Sequence, residues 1–280
     1  MLGDLHTHTR LSDGALGIDD LVYYAKRAGL DFLAITDHDT MDGVSRAQLL
    51  GRRYGLSVIP GVEISCMDSA RGEKAWILCY FPDKAEKMQA ILTKTLEARA
   101  TAGKMMLRAA MRYYPITEEH VMRYASGSKA IYQAHILQAL LDVGYDGTVF
   151  GALQQQLFDP DKGSCYHETD YYPDVYHVLE AVHAAGAVAV LAHPTIGDTG
   201  YLLRELAEKE LIHGVEAWNP SARQPMIEKI ILPMAKSYGL IVTGGSDFHG
   251  QLCRNPRPLA SCATTEENLH LLFALKNKNV

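Results

Sequence analysis

Four short apolar runs in this chain each break off into histidines and carboxylates. LGDL leads into HTH (His6 to His8), FLAI into TDHD (Thr36 to Asp39), AVAVLA into HP (His193, Pro194) and LIVTGG into SDFHG (Ser246 to Gly250). An apolar run of this length reads as a buried strand. Titratable groups that follow each run belong at the strand ends, and in α/β barrels the C-terminal strand ends are where reactive side chains gather. Glu63 adds a carboxylate within a further predicted strand, VEIS.

The segments between these runs are helical. DDLVYYAKRAG spaces Leu21, Tyr24, Ala25 and Ala28 at i, i+3, i+4 and i+7, with Gly29 as a stop. A second helix is expected from Asp42 to Tyr54, ending at Gly55, and SVIPGVEIS and AWILCYF read as the next strands. Strands alternating with helices predict parallel pairing. From Lys84 to Cys165 the pattern is helical with no strand between, including AEKMQAILTKTLEARATAGKMMLRAAMRYY, TEEHVMRYA, YQAHILQALLDVG and TVFGALQQQLF. The expected organisation is a first barrel part over 1–83, an inserted helical subdomain over 84–168 and a second barrel part over 169–280. Pro173 is placed as a first helical residue, and a last helix is expected over Glu266 to Lys276.

The totals limit the partners. Twenty-seven basic against 33 acidic residues give a net charge of −6, which disfavours grip on long nucleic acid by counterion release. A small anion is still attracted by one local positive site. Five cysteines without a C-x-x-C pair read as reduced, structural thiols. No signal-peptide pattern and no apolar run of about 20 residues is present. The expectation is a cytoplasmic protein with no membrane partner.

Residues i and i+2 of an extended chain point the same way. His6 with His8, and Asp247 with His249, can therefore each approach one ion together. Imidazole nitrogen with carboxylate oxygen suits Zn, Mn or Fe better than Mg or Ca. Asp4, on the face of His6, is the expected acceptor for that ring's second nitrogen. His120, His177, His183, His213 and His270 lie in or beside helical patterns and read as surface or packing residues.

Taken together, DLHTHTRLSDG, AGLDFLAITDHDTMDG, IPGVEIS, LAHP and GGSDFHG resemble the polymerase-and-histidinol-phosphatase (PHP) family, and its small metal-dependent phosphoesterases in particular. The resemblance spans nearly the whole chain. It implies an α/β fold, a distorted seven-stranded β/α barrel with a metal cluster at its mouth. It implies His6, His8, Glu63 and Asp247 as ligands of one ion, and Asp13, His38 and His249 as ligands of another. Glu63 and His193 would belong to a third position. Relatives carry a histidine in a strand reading roughly HILGY; here WILCY puts Trp76 there, and an indole cannot ligate. Two divalent ions are therefore expected, with His193 either a weak ligand or a phosphate contact.

The resemblance also implies substrate contacts. His135 and Lys162 would reach from the insertion to the phosphate or the leaving group, and Arg10 would stand beside the second histidine. Gln133 occupies a position where relatives acting on nucleoside 3′,5′-bisphosphates carry arginine, so a bidentate clamp is lost. Tyr132, Tyr166 and Trp218 are candidates for stacking on a base. Two ions bring about +4 and three carboxylates remove three, leaving about +1 to attract a phosphate. The activity implied is hydrolysis of a small phosphate monoester by a metal-bound hydroxide. The substrate class is a nucleotide, either a 5′-monophosphate such as AMP or a 3′,5′-bisphosphate. Alternatives are an exonuclease of the same fold, an amidohydrolase-type enzyme and a non-catalytic metal-binding module.

Overall fold

The computed structural model describes residues 1–194 and 200–278. In chain order the first elements are β1 (Gly3–Asp4), α1 (Ile18–Arg27), β2 (Phe32–Ile35), α2 (Val44–Tyr54), β3 (Ser57–Asp68) and β4 (Glu73–Tyr80). Helices α3 (Gln89–Ala110), α4 (Glu118–Met122), α5 (Gln133–Asp142) and α6 (Ala152–Phe158) come next. The chain then runs through α7 (Val175–Ala184), β5 (Val188–Leu191), α8 (Gly200–Glu208), β6 (Gly214–Trp218), α9 (Gln224–Met226) and α10 (Leu232–Tyr238) to β7 (Ile241–Gly244) and α11 (Glu266–Lys278).

The seven strands form one sheet in sequence order. The Leu5 amide donates to the Gly244 carbonyl at 3.3 Å, and Thr7 bridges Phe248, so the first and last strands meet in a nearly closed barrel. Leu5, Ala34, Ile59, Leu78, Val190 and Ile241 fill its interior, and Leu269 and Leu272 of α11 join them. Each of the Leu, Ile and Val side chains contributes about 1.5–3 kcal/mol by leaving water. On the outside, Leu21, Val22 and Ala25 of α1 pack with Leu33 and Ile35 of β2. Asp19 and Asp20 in the first turn of α1, and Lys26 and Arg27 in its last, complement the helix dipole.

Parallel pairing holds for β1–β2–β3 and β5–β6–β7, but β3–β4 and β4–β5 are antiparallel. This corrects the expectation of parallel pairing throughout. Only Ser69 to Gly72 separate β3 from β4, too few residues for a crossover but enough for a hairpin. The Asp68 carboxylate, which accepts the Ala70 amide at 3.2 Å, shapes that turn.

Helices α3 to α6 carry a core of their own, in which Met106, Leu107, Ile136, Leu140, Leu157 and Phe158 are buried. Leu252, from the loop after β7, is buried in the same core and ties these helices to the barrel mouth. Gly103 lets α3 pass against the chain at Ile131, where a Cβ would sit 2.1 Å from the carbonyl oxygen. Two helix starts differ from expectation. The last helix of this group begins at Ala152, just after Gly151 and with Asp146 accepting the Leu153 amide at 2.9 Å. Helix α7 begins after Asp174, whose carboxylate accepts the Tyr176 amide. Aspartate is the better N-cap, which leaves Pro173 outside the helix. Among the described residues, no helix is long and apolar enough to cross a membrane. All five cysteines are free.

Candidate metal centre

His6 and His8 follow β1, His38 follows β2, Glu63 lies in β3, His193 follows β5, and Asp247 and His249 follow β7. Their side chains converge. His6 Nε2 lies 3.3 Å from Glu63 Oε1 and 3.5 Å from Asp247 Oδ1. His8 Nε2 is 3.3 Å from Asp247 Oδ1 and 3.4 Å from Glu63 Oε2. His249 Nε2 is 3.3 Å from Asp13 Oδ1, and His193 Nε2 is 3.0 Å from Glu63 Oε1. Three groups of ligand atoms are tight enough to hold an ion: His8 with Asp13, His38 and His249; His6 with His8 and Asp247; and His6 with Glu63 and His193.

The donor atoms fit such ions. His6 Nε2, His8 Nε2, Asp13 Oδ1, His38 Nδ1 and Glu63 Oε2 are all buried without a well-formed hydrogen bond, though they crowd against one another, with His38 Nδ1 only 2.9 Å from Glu63 Oε2. A buried polar atom left unpaired costs about 1–3 kcal/mol. Imidazole nitrogens and carboxylate oxygens crowded together without good hydrogen-bond geometry suit cations that would take them all as ligands. The centre is also strongly polarised. Burial opposes charge on Glu63, yet His6 and His38 hold its carboxyl well below the usual range. Burial likewise opposes charge on Asp13, and His249 and His38 overcome it. His249 resists burial because Asp13 faces it, and its imidazolium persists up to about 10. His8, buried beside His249, is pushed down to about 3 and is neutral.

Neighbouring carboxylates fix the geometry. Glu216 of β6 lies 3.0 Å from His6 Nδ1 and accepts the His193 amide at 3.1 Å. This corrects the expected role of Asp4, which instead accepts the amides of Ser246 and Ala260, both at 2.9 Å. Asp4 thereby anchors the loop after β7 rather than the His6 ring. Asp37 accepts from the Thr9 amide and hydroxyl and from the Ser12 hydroxyl, which shapes the turn that carries Asp13. Gly245 permits the closest approach: a Cβ there would lie 2.2 Å from that of His6. His193 and Asp247 hold positive φ, 25° and 48°, a region that side chains with a Cβ rarely occupy.

A cavity of about 290 Å³ opens beside the centre, reaching it at Asp13 and His38. Of the expected substrate contacts, Gln133, Tyr132 and Tyr166 line it. Trp76 lines it too, with its ring 5.3 Å from that of His193 in an edge-on arrangement. His135 is fully buried beneath Tyr132. Its Nδ1 accepts the Tyr132 amide at 3.2 Å, so Nε2, which has no partner, carries the ring proton. Burial pushes its pKa down to about 4. Lys162 stands exposed on the loop after α6, Arg10 is exposed with its Nε on the Ala15 carbonyl, and Trp218 packs beside the barrel core. None of these three lines the cavity.

Its cations are Lys74 of β4, which pairs with Glu168 of the same wall at 2.9 Å, and Arg99 of α3, neither singled out by motif; His167 also lines it. Arg99 Nη2 donates to Asp39 at 3.2 Å and to the Ser65 hydroxyl at 2.7 Å, while its Nε is buried without a partner. Lys74 was traceable: it is two residues from Trp76 on one strand and so shares its face. Arg99 and His167 carried no such signal. Outside the centre, His120 pairs with Asp142 and His183 with the Leu211 carbonyl.

Comparison with known proteins agrees with this geometry. A phosphoribosyl 1,2-cyclic phosphate 1,2-diphosphodiesterase of Eggerthella lenta is 33% identical over 91% of this chain and 97% of its own length. A 5′-3′ exoribonuclease of Haemophilus influenzae is 30% identical over 88% of this chain and 89% of its own. Among solved structures, a Bifidobacterium adolescentis protein described as belonging with metal-dependent phosphoesterases superposes with a TM-score of 0.87. It is 28% identical, covering 98% of this chain and 96% of that one. Residues 4–231 match the PHP domain, and the chain belongs to the PHP domain family.

Proposed function

We propose that the chain hydrolyses phosphate esters of small metabolites, nucleotides foremost, with divalent cations held by His6, His8, Asp13, His38, Glu63, His193, Asp247 and His249. The observation that carries this reading is the crowd of buried ligand atoms from His6, His8, Asp13, His38 and Glu63 without well-formed hydrogen bonds, beside a cavity lined by Arg99 and the Lys74–Glu168 ion pair. Bound ions would activate a water and neutralise phosphoryl oxygens.

The chain's own residues do the rest. Arg99, held against Asp39 and Ser65, keeps its guanidinium fixed and its Nε free to donate to an anionic oxygen. The Tyr132 hydroxyl is likewise buried and unpartnered, and burial raises its pKa, so it stays a donor. His135 offers Nε2–H as a neutral donor. With a pKa of about 4 it is a positioning group rather than the acid that protonates the leaving oxygen. The aromatic rings of Trp76, Tyr132 and Tyr166 give a planar leaving group a surface to lie on.

The test is a screen for phosphate release from nucleoside 5′-monophosphates and 3′,5′-bisphosphates and for mononucleotide release from short oligonucleotides, with Mn, Zn or Fe added. Release from mononucleotides exceeding that from oligonucleotides supports the reading. A preference for oligonucleotides favours the exonuclease alternative, for which the Haemophilus relative speaks. Metal binding without release of either phosphate or nucleotides supports a non-catalytic module.

A further inference from the structure

The inserted helices and the loop after β2 enclose a second cavity, of about 240 Å³. Among the described residues it shares no lining residue with the larger cavity beside the metal centre. One wall is a face of α3, where Leu92, Thr93, Leu96, Glu97 and Ala100 recur at helical spacing. Thr40, Met41 and Asp42 form the opposite wall, and Lys129, from the loop before α5, stands at the rim. The floor is apolar, since Leu92 and Leu96 are buried with Met41 and Ala100 half-buried beside them. Arg99 and Asp39 stand between the two cavities: Arg99 lines the larger one, Asp39 lines this one, and they meet at 3.2 Å.

The charges around this cavity do not cancel. Arg99 answers Asp39 from behind, and Lys129 answers Asp42 at 2.5 Å. Glu97, exposed on the rim, is in no ion pair among the described residues, so one negative charge is left over beside an apolar floor. An uncharged alkyl ligand would leave that charge unanswered, an anion would be repelled by it, and a dication would bring one charge too many. We infer that the cavity is a binding site for a small aliphatic monocation, a primary alkylammonium of about five carbons, apart from the metal centre. Its ammonium would rest on Glu97 and its chain on Leu92, Leu96 and Met41. Such an amine has about six heavy atoms, within the space of about eight waters that the volume allows. The occupant would bridge α3 and the loop after β2, the two segments that also carry Arg99 and His38 to the larger cavity. The inference goes beyond the proposed reaction and does not depend on it.

The experiment is a calorimetric titration of n-pentylammonium chloride into the full chain loaded with Mn, which keeps the amine away from the carboxylates of the metal centre. 1-Pentanol, of the same length and uncharged, is titrated in parallel. Wild type should bind the amine saturably with a Kd of about 1 mM, the scale for a ligand of this size, and the alcohol at least about fivefold more weakly. Glu97→Gln removes the unbalanced charge at an exposed position and should weaken amine binding about fivefold. Ala100→Leu fills the cavity and should weaken it at least about tenfold. Melting temperatures close to that of wild type show that each variant folds, and Glu97→Gln decides alone where Ala100→Leu does not fold. The site is overturned by an absence of saturable amine binding below about 10 mM, by alcohol bound as tightly as the amine, or by a Kd within about twofold of wild type in either folded variant.

Discussion

His6 Nδ1 lies 3.0 Å from Glu216 Oε1, with both side chains fully shielded from solvent. The contact fixes which His6 nitrogen faces the other ligands, and Glu216 also receives the His193 amide. Partners of this kind orient a ligand and raise its basicity. Glu216→Gln should keep the fold and lower affinity for Mn or Zn by about 10–100-fold, measured by competition with a coloured chelator. Undiminished affinity would show that the carboxylate serves packing alone.

Asp13 and His38 sit at the solvent side of the centre, where each is only partly covered. Asp13→Ala and His38→Ala should each reduce phosphate ester hydrolysis by more than about 100-fold, the scale of losing a catalytic group. Thermal melting should be nearly unchanged. Metal content should fall by about one ion per chain in both. Wild-type turnover in either variant would remove that residue from the ligand set.

How much of this arrangement could be read from the chain alone depended on local spacing. His6 with His8, and Asp247 with His249, announce themselves because a two-residue interval in extended backbone forces a shared direction. Glu216 did not, since a lone carboxylate within HGVEAWNP has no nearby partner to mark it. Arg99 was hidden for a different reason. It lies on a long helix among other charges, and only the crossing of α3 over β3 brings it to Asp39. Lys162 looked suitable by position but remains in solvent, because the loop after α6 turns on Asp159, which accepts the amides of Asp161 and Lys162. The β3–β4 hairpin escaped notice because strand direction leaves no trace in an apolar run.

Loading the centre should release protons. Without cations, burial disfavours charge on His6, His38, His193 and His249, yet facing carboxylates raise all four, His249 to about 10. A ligand nitrogen must give up its proton to bind. At pH 7 a weakly buffered indicator should therefore report acidification on addition of Mn. Affinity should climb as pH rises and weaken as it falls, because fewer protons compete at high pH. Loading with no net proton release would contradict the raised values.

Trp76 stands against His193, which is itself 3.0 Å from Glu63. Trp76→His would place a third imidazole beside those of His6 and His193. The variant should bind about one more ion per chain than wild type at saturating Mn, as counted by elemental analysis. An unchanged count would mean that the position is closed for reasons other than the missing nitrogen.

The positive φ angles of His193 and Asp247 carry a consequence for how this protein ages and evolves. Glycine would relax either turn, which costs a residue with a Cβ about 1–2 kcal/mol. Every such relief would delete a donor atom from the rim. Durability and reactivity thus pull in opposite directions at two corners of the barrel, one on each side of β6.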